Sequence, residues 1–338
     1  MHPKLLHNMK KTILIFIFNI IALTPLAYGK TYKLLNVSYD PTRELYSEIN
    51  EAFTCAKQSE NIKLQVNQSH GASGKQALSI VNGLKADIVS LALAYDIDMI
   101  ARAGYIDPKW RDRAPNQSSP YGSIIVFLVR KGNPRNIKDW DDLIKDDIKI
   151  ITPNPKTSGG ARFNYIAAWR YFIDKYDNED QAIEFMRKLY QNVPVLDTAA
   201  RTSTISFTKR GMGDVLIAWE NEAFLAMNEM NKGDFEVVIP SSTIYINLPV
   251  TIVDKVVDKQ KTRDLAGEYI NFLYSDIAQE IIAKNYYRPV NKEIFEKRKI
   301  FAKVKSVDSK NLDWDKIQIK HFSNDGIFDQ LYNTTNTK

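Results

Sequence analysis

The chain has 338 residues, with 46 Lys and Arg against 40 Asp and Glu, a formal charge of +6, and a single cysteine, Cys55. This length exceeds what one hydrophobic core usually serves, so two lobes are expected. A lone cysteine permits no internal disulfide, so apolar burial has to hold the fold. The basic residues are interspersed with acidic ones, which excludes the clustered Lys/Arg stripe of a nucleic-acid binder.

Residues 1–29 contain no acid, carry Lys4, Lys10 and Lys11, and run apolar from Ile13 to Leu23 apart from Asn19. That is the profile of a secretory signal peptide. The run falls short of the ~20 apolar residues that a spanning helix needs, and Ala27-Tyr28-Gly29 places cleavage after Gly29. Met9-Lys10-Lys11 would itself make a conventional start. Cleavage leaves 43 basic residues against 40 acidic ones, a charge of +3. Cys55 lies well inside the mature chain, away from a lipid-attachment position, so a freely diffusing periplasmic protein is expected.

From Leu34 the chain alternates strand-like runs with helical patterns. A strand over 34–38 is followed by a helix opened by Pro41, with Leu45, Ile49 and Phe53 recurring every four residues. A strand over 62–66, a turn at Gly71 to Gly74, a helix carrying Ala77, Val81 and Leu84, and a strand over 88–93 complete a first β-α series with parallel-sheet logic. The apolar strand 124–129 starts a second series: strand 148–152, a helix with Ile166, Trp169 and Ile173, and strand 215–219. Strand 250–253 returns toward the first lobe. The expected architecture is α/β, two lobes joined by a two-strand hinge, with 30–123 and 248–338 forming lobe 1 and 124–247 forming lobe 2. The polar tail after Ser323 is expected to fray.

Four loops follow predicted strands, are rich in small or hydroxyl residues, and open helices: Ser38 to Pro41, Ser69 to Gly74, Pro155 to Gly160 and Thr198 to Ser203. Helix N-termini present unpaired N–H groups and a partial positive charge, which suits an anion. Ligands of open α/β sheets sit at the carboxyl ends of strands, where these loops lie. At roughly half a charge per N-terminus, three or four converging ends supply roughly +1.5 to +2 nominally, comparable with a dianion. The hydroxyls of Ser73 and Ser158 and the indole of Trp219 add donors. Any one of these loops alone reads first as ordinary cap and turn chemistry, and Trp219 alone as core rather than ligand. Their agreement points to an anion site. Gly71-Ala72-Ser73-Gly74-Lys75 is not a nucleotide P-loop, which needs four residues between its glycines and a Ser or Thr after Lys.

Several strings then resemble the bacterial periplasmic sulfate-binding proteins over essentially the whole mature chain. They are Leu35 to Leu45, Gln68-Ser69-His70, Ser73 to Gln76, Ser158 to Arg162, Gly213 to Glu220 and Tyr287-Arg288-Pro289. The resemblance implies a type II periplasmic binding protein fold and a dehydrated sulfate held between the lobes by hydrogen bonds alone. It implies backbone donors at Asp40, Ser73, Gly159, Gly160 and Ala200, hydroxyl donors at Ser73 and Ser158, and the indole of Trp219. It also implies delivery to the membrane permease subunits of an ABC transporter, with no cofactor, no metal and no nucleic acid. Ala72 and Ala199 stand where glycine is usual in the family, and a positive φ at either would strain the loop. The thiosulfate-preferring branch tends to carry Asn for Gly160 and Phe for Trp219, so this chain sides with the sulfate branch.

The rival within the family is thiosulfate. The rival of another class is a serine hydrolase using Ser73 and His70. That reading lacks a Gly-x-Ser-x-Gly elbow and a third residue to orient the base. A metal site is disfavoured because His2 and His7 lie in the leader and His321 stands alone.

Overall fold

The central runs of the second lobe, residues 124–129, 150–151 and 215–219, are wholly apolar and buried, and this is what sets the layering. The computed structural model of the protein describes residues 31–230 and 232–335; the leader expected at 1–29 lies outside them. Its strands in chain order are β1 (Tyr32–Tyr39), β2 (Leu64–Gly71), β3 (Ile88–Ser90), β4 (Tyr121–Arg130), β5 (Ile150–Pro153), β6 (Leu196–Asp197), β7 (Val215–Trp219), β8 (Phe235–Val238), β9 (Thr243–Leu248), β10 (Val250–Ile252), β11 (Arg288–Pro289) and β12 (Ser306–Asp308). They form two sheets, ordered β10-β3-β1-β2 and β12-β9-β4-β7-β5-β6, with β8 and β11 also pairing β4. Nine of the ten β4 residues are buried because helices cover both faces of the sheet.

The pairings show the expected β-α logic. In the first sheet β1 runs parallel to β2 and to β3, and in the second β5 runs parallel to β6 and β7. Helix Arg43–Ser59 buries Leu45, Ile49 and Phe53 as their spacing predicts, together with Tyr46. The chain enters the second sheet at β4 and returns by way of β9 into β10, and these two passages form the two-strand hinge. Pro249 between them accepts a backbone bond from Leu91 at 3.3 Å.

Two expectations are corrected beyond residue 287. Residues 248–338 are expected in the first lobe, yet β11 pairs with β4 and β12 with β9, both in the second sheet. The first lobe thus takes back only the segment from β10 to Tyr287, and Tyr287-Arg288 is a third crossing. The tail after Ser323, expected to fray, is helical over Ile327–Thr335. Helix Ile327–Thr335 buries Ile327, Phe328 and Leu331, and the Phe328 ring lies 5.2 Å from that of Tyr190. Three apolar side chains among polar neighbours suffice to dock it, because they fall on one helical face.

Lys156 secures the same docking, donating to the carbonyls of Phe322 (3.1 Å) and Ser323 (3.0 Å) and to Asp329 (2.8 Å). His321 is buried beside Tyr165, with Nδ1 3.1 Å from its hydroxyl and its ring 4.6 Å from Trp169. Burial, and then the charge of Lys320, push its pKa from 6.5 down to about 4. The folded state therefore favours neutral imidazole. Its contribution to stability is complete above pH 6.5 and is lost as pH falls toward 4, where the unfolded chain binds the extra proton. Thermal midpoints should drop between pH 7 and pH 4.5, and His321→Phe should drop less over the same interval. An equal drop in the variant would assign the pH dependence to other groups.

Candidate functional site

The four loops singled out by sequence leave the carboxyl ends of β1, β2, β5 and β6, and each leads into a helix. Asp40 opens the 3-10 turn Asp40–Thr42, Ser73 opens helix Ser73–Val81, Gly159 and Gly160 open helix Gly159–Tyr176, and Ala200 opens helix Ala200–Thr208. All five are first-turn residues, whose N–H groups have no intrahelical acceptor. Trp219 ends β7 and caps helix Glu220–Leu225.

Polar ties hold the loops to each other. In the first lobe Gln76 Nε2 donates to the Ser38 carbonyl and to Ser69 Oγ, both at 3.2 Å, while Ser38 Oγ meets His70 Nδ1 at 2.8 Å and accepts from Thr42 at 3.0 Å. In the second lobe Thr157 Oγ1 donates to the Thr198 carbonyl at 2.8 Å, and Asn154 N to the Asp197 carbonyl at 2.7 Å. Ala72 (φ −60°) and Ala199 (φ −149°) adopt ordinary extended backbone, so alanine strains neither loop.

The two halves meet across a closed seam. A Cβ built on Gly159 would lie 2.9 Å from Ser73 Cβ and 2.6 Å from Leu93 Cδ1, so glycine is required there by the approach of the opposite lobe. Trp219 packs its ring 5.4 Å from Tyr39 of the first lobe, and its Nε1 donates to the Gly160 carbonyl at 3.3 Å. Gly160, Ala200 and Trp219 line one small cavity. Ser158 Oγ accepts from Ala161 N at 3.3 Å as an N-cap, which leaves its hydrogen to donate.

Ser73 differs from expectation. Its hydroxyl donates to Asp96 Oδ2 at 2.5 Å and accepts from Ala92 N at 3.2 Å. A hydroxyl has one hydrogen, so in this conformation Ser73 offers its backbone N–H and not its hydroxyl. Ser73 and His70, the pair of the hydrolase reading, are not bonded to each other: the Ser73 hydroxyl donates to Asp96, and His70 Nδ1 meets Ser38 Oγ. Burial, and then the charge of Arg43, push the His70 pKa from 6.5 down to about 4.

Sequence reasoning missed the charged groups behind the donors. Arg201, next to Ala200, spans the seam: it meets Glu44 of the first lobe with two bonds of 2.9 Å and Glu222 with bonds of 3.0 and 2.9 Å. Burial alone would raise the Glu44 carboxyl, but the Arg201 bond and charge hold it below the usual range. Arg162 lies 3.6 Å from Asp96, also across the seam. Burial pushes the Asp96 and Glu222 carboxyls up against the pull of these arginines. Glu44, Arg162 and Arg201 lie inside the strings and loops already marked, so their position was signalled although their pairing was not. Nothing local marked Asp96 or Glu222. Among the described residues no cluster of His, Cys, Asp or Glu could hold a metal, and no helix is long and apolar enough to cross a membrane.

The model of the family described as bacterial extracellular solute-binding protein matches residues 34–288. The sulfate-binding protein of Escherichia coli K12 is 54% identical over 309 residues, covering 90% of this chain and 94% of that one. A thiosulfate-binding protein of Pseudomonas aeruginosa is 47% identical, covering 88% of this chain and 92% of its own. Among solved structures, the sulfate-binding protein SubI of Mycobacterium tuberculosis superposes with a TM-score of 0.78 at 30% identity, over 86% of this chain and all of that one. With two α/β lobes, first-turn donors on both sides of their seam and these relatives across its length, the chain belongs to the bacterial extracellular solute-binding proteins, in the group that contains the sulfate- and thiosulfate-binding proteins.

Proposed function

We propose that this chain captures sulfate in the periplasm, after export by a cleaved leader, and presents it to the membrane permease of an ABC transporter. The observation that carries the reading is the placement of first-turn N–H groups of Asp40, Ser73, Gly159, Gly160 and Ala200 on the two sides of one closed seam. The Ser158 hydroxyl and the Trp219 indole complete a set of donors. The indole bond to the Gly160 carbonyl, at 3.3 Å, is long enough to be given up for a charged acceptor. Relatives named for sulfate binding, 52% and 54% identical, support the same ligand.

A donor-only site selects against protonated anions. Neighbouring carboxylates already have partners: Asp40 with Arg43, Asp96 with Ser73, and Glu222 with Arg201 and Thr204. Phosphate keeps a proton at neutral pH, and that proton finds no acceptor. A buried polar group left unmatched costs about 1–3 kcal/mol. Thiosulfate shares the charge and shape of sulfate and is the second reading, supported by relatives named for it. Relatives named as binding proteins, and the commitment of the Ser73 hydroxyl to Asp96, support binding without catalysis.

Isothermal titration should show one sulfate per chain, bound at least ~10-fold more tightly than phosphate, with a preference that changes little between pH 6 and 8. Equal affinity for phosphate would overturn the donor-only site. Trp219→Phe and Ser158→Ala each remove one donor to a charged acceptor, worth about 1.5–3 kcal/mol, and should weaken sulfate roughly 10- to 100-fold. Unchanged affinity in either returns that residue to a packing role.

Closure is tested separately. An open protein cannot gather donors from both lobes around one anion, so sulfate should reduce the radius of gyration in solution scattering. Gly159→Ala places a methyl against Ser73 and should block that contraction and weaken binding. Superimposable curves with and without sulfate in the unmutated protein would mean that closure does not depend on the ligand.

A further inference from the structure

The motif Tyr287-Arg288-Pro289 contributes no donor to the anion site, yet its first two residues touch both halves of it. They follow Tyr286, whose φ of +63° turns the chain out of helix Asp276–Lys284. Tyr287 is buried against Tyr121, and its hydroxyl donates to the Pro41 carbonyl at 3.1 Å and accepts from Tyr39 Oη at 3.4 Å. Those partners flank Asp40 in the first lobe. Arg288 is 4% exposed and reaches the other way: its Nε and Nη2 meet the two oxygens of Glu220 at 2.6 and 2.8 Å. Glu220 is fully buried and directly follows Trp219.

The Arg288 guanidinium is itself immobilised. It lies 5.7 Å from the ring centres of both Phe295 and Phe301, donates to the Ala302 carbonyl at 2.9 Å, and sits on β11 opposite Gly122 of the hinge strand β4. A bidentate Arg–carboxylate pair fixes direction as well as distance. The orientation of the turn that carries Trp219 therefore depends on where Arg288 stands. Tyr287, immediately before β11, and Arg288, its first residue, thus hold the Asp40 loop and the Trp219 turn.

We propose that Tyr287 and Arg288 are positioning residues that couple the two halves of the anion site, so that setting the Asp40 loop also sets the Trp219 indole. The proposal rests on the sulfate reading above. It makes the third crossing between the lobes part of the binding device as well as a chain connection.

Double-mutant cycles read by sulfate titration test this. Tyr287→Phe keeps the ring and leaves no buried charge unpaired; it should weaken sulfate roughly 3- to 10-fold. Arg288→Lys keeps the charge and loses the bidentate geometry; it should also weaken sulfate, and should lose nothing further when Trp219 is already Phe. Tyr287→Phe and Arg288→Lys together should depart from the product of their separate effects. A lowered denaturation midpoint with unchanged affinity in both single variants would overturn the coupling and leave a structural role, as would an Arg288→Lys effect that persists in full without the indole. Should Arg288→Lys fail to fold, Tyr287→Phe decides alone, and unchanged affinity overturns the proposal. If Trp219→Phe itself binds sulfate normally, the site reading falls and this inference with it; if only Trp219→Phe weakens binding, the site stands and the coupling does not.

Discussion

The approach of Gly159 to Ser73 is the contact on which the arrangement of the site depends. At that point the first turns of two helices from different lobes come within van der Waals range, and only the absence of a side chain at 159 permits it. Unpaired N–H groups at a helix start are ordinarily satisfied by a cap or by water. Bringing several such starts to one seam sets their donors together, where the proposed anion would satisfy them. Helix dipoles act only within the first turn, so the value of the arrangement lies in direct contacts, and these require the lobes to be closed.

Closure has a cost that the charged groups behind the donors offset in part. Arg201 and Arg162 each reach a carboxylate of the opposite lobe, Glu44 and Asp96. Such pairs are weak sources of net stability, because desolvation cancels much of the attraction, but they exist only when the lobes meet and so favour the closed form over the open one. They also occupy the carboxylates around the seam. In the proposed site a protonated anion would have to compete for these carboxylates with the arginines and hydroxyls that already hold them.

The hinge adds a further constraint. Two strands joining the lobes leave one degree of bending freedom, whereas Tyr287-Arg288 forms a third connection placed beside the site. The segment after it, including β12 and helix Ile327–Thr335, packs on the second lobe and anchors Lys156 of the Pro155 to Gly160 loop. The loop that supplies Ser158, Gly159 and Gly160 is thereby held by the C-terminal segment as well as by its bonds to Thr198 and Asp197.

What the sequence determined by itself was whatever is encoded over short distances. Strand 215–219 lies where its apolar run places it, helix Arg43–Ser59 buries the Leu45, Ile49 and Phe53 stripe, and all seven residues singled out for the site stand at helix starts or at the strand end before one. These features follow from side-chain periodicity and cap chemistry, which act within a turn or two. Tertiary structure alone decided which groups meet across 50 or more residues: Arg201 with Glu44, Glu220 with Arg288, and the return of residues beyond 287 to the second sheet. It also committed the Ser73 hydroxyl to Asp96, 23 residues away beyond a helix and strand β3. No local pattern could report that choice, because a serine at a helix start offers the same hydroxyl to an anion or to a carboxylate, and only the packed neighbour determines which one receives it.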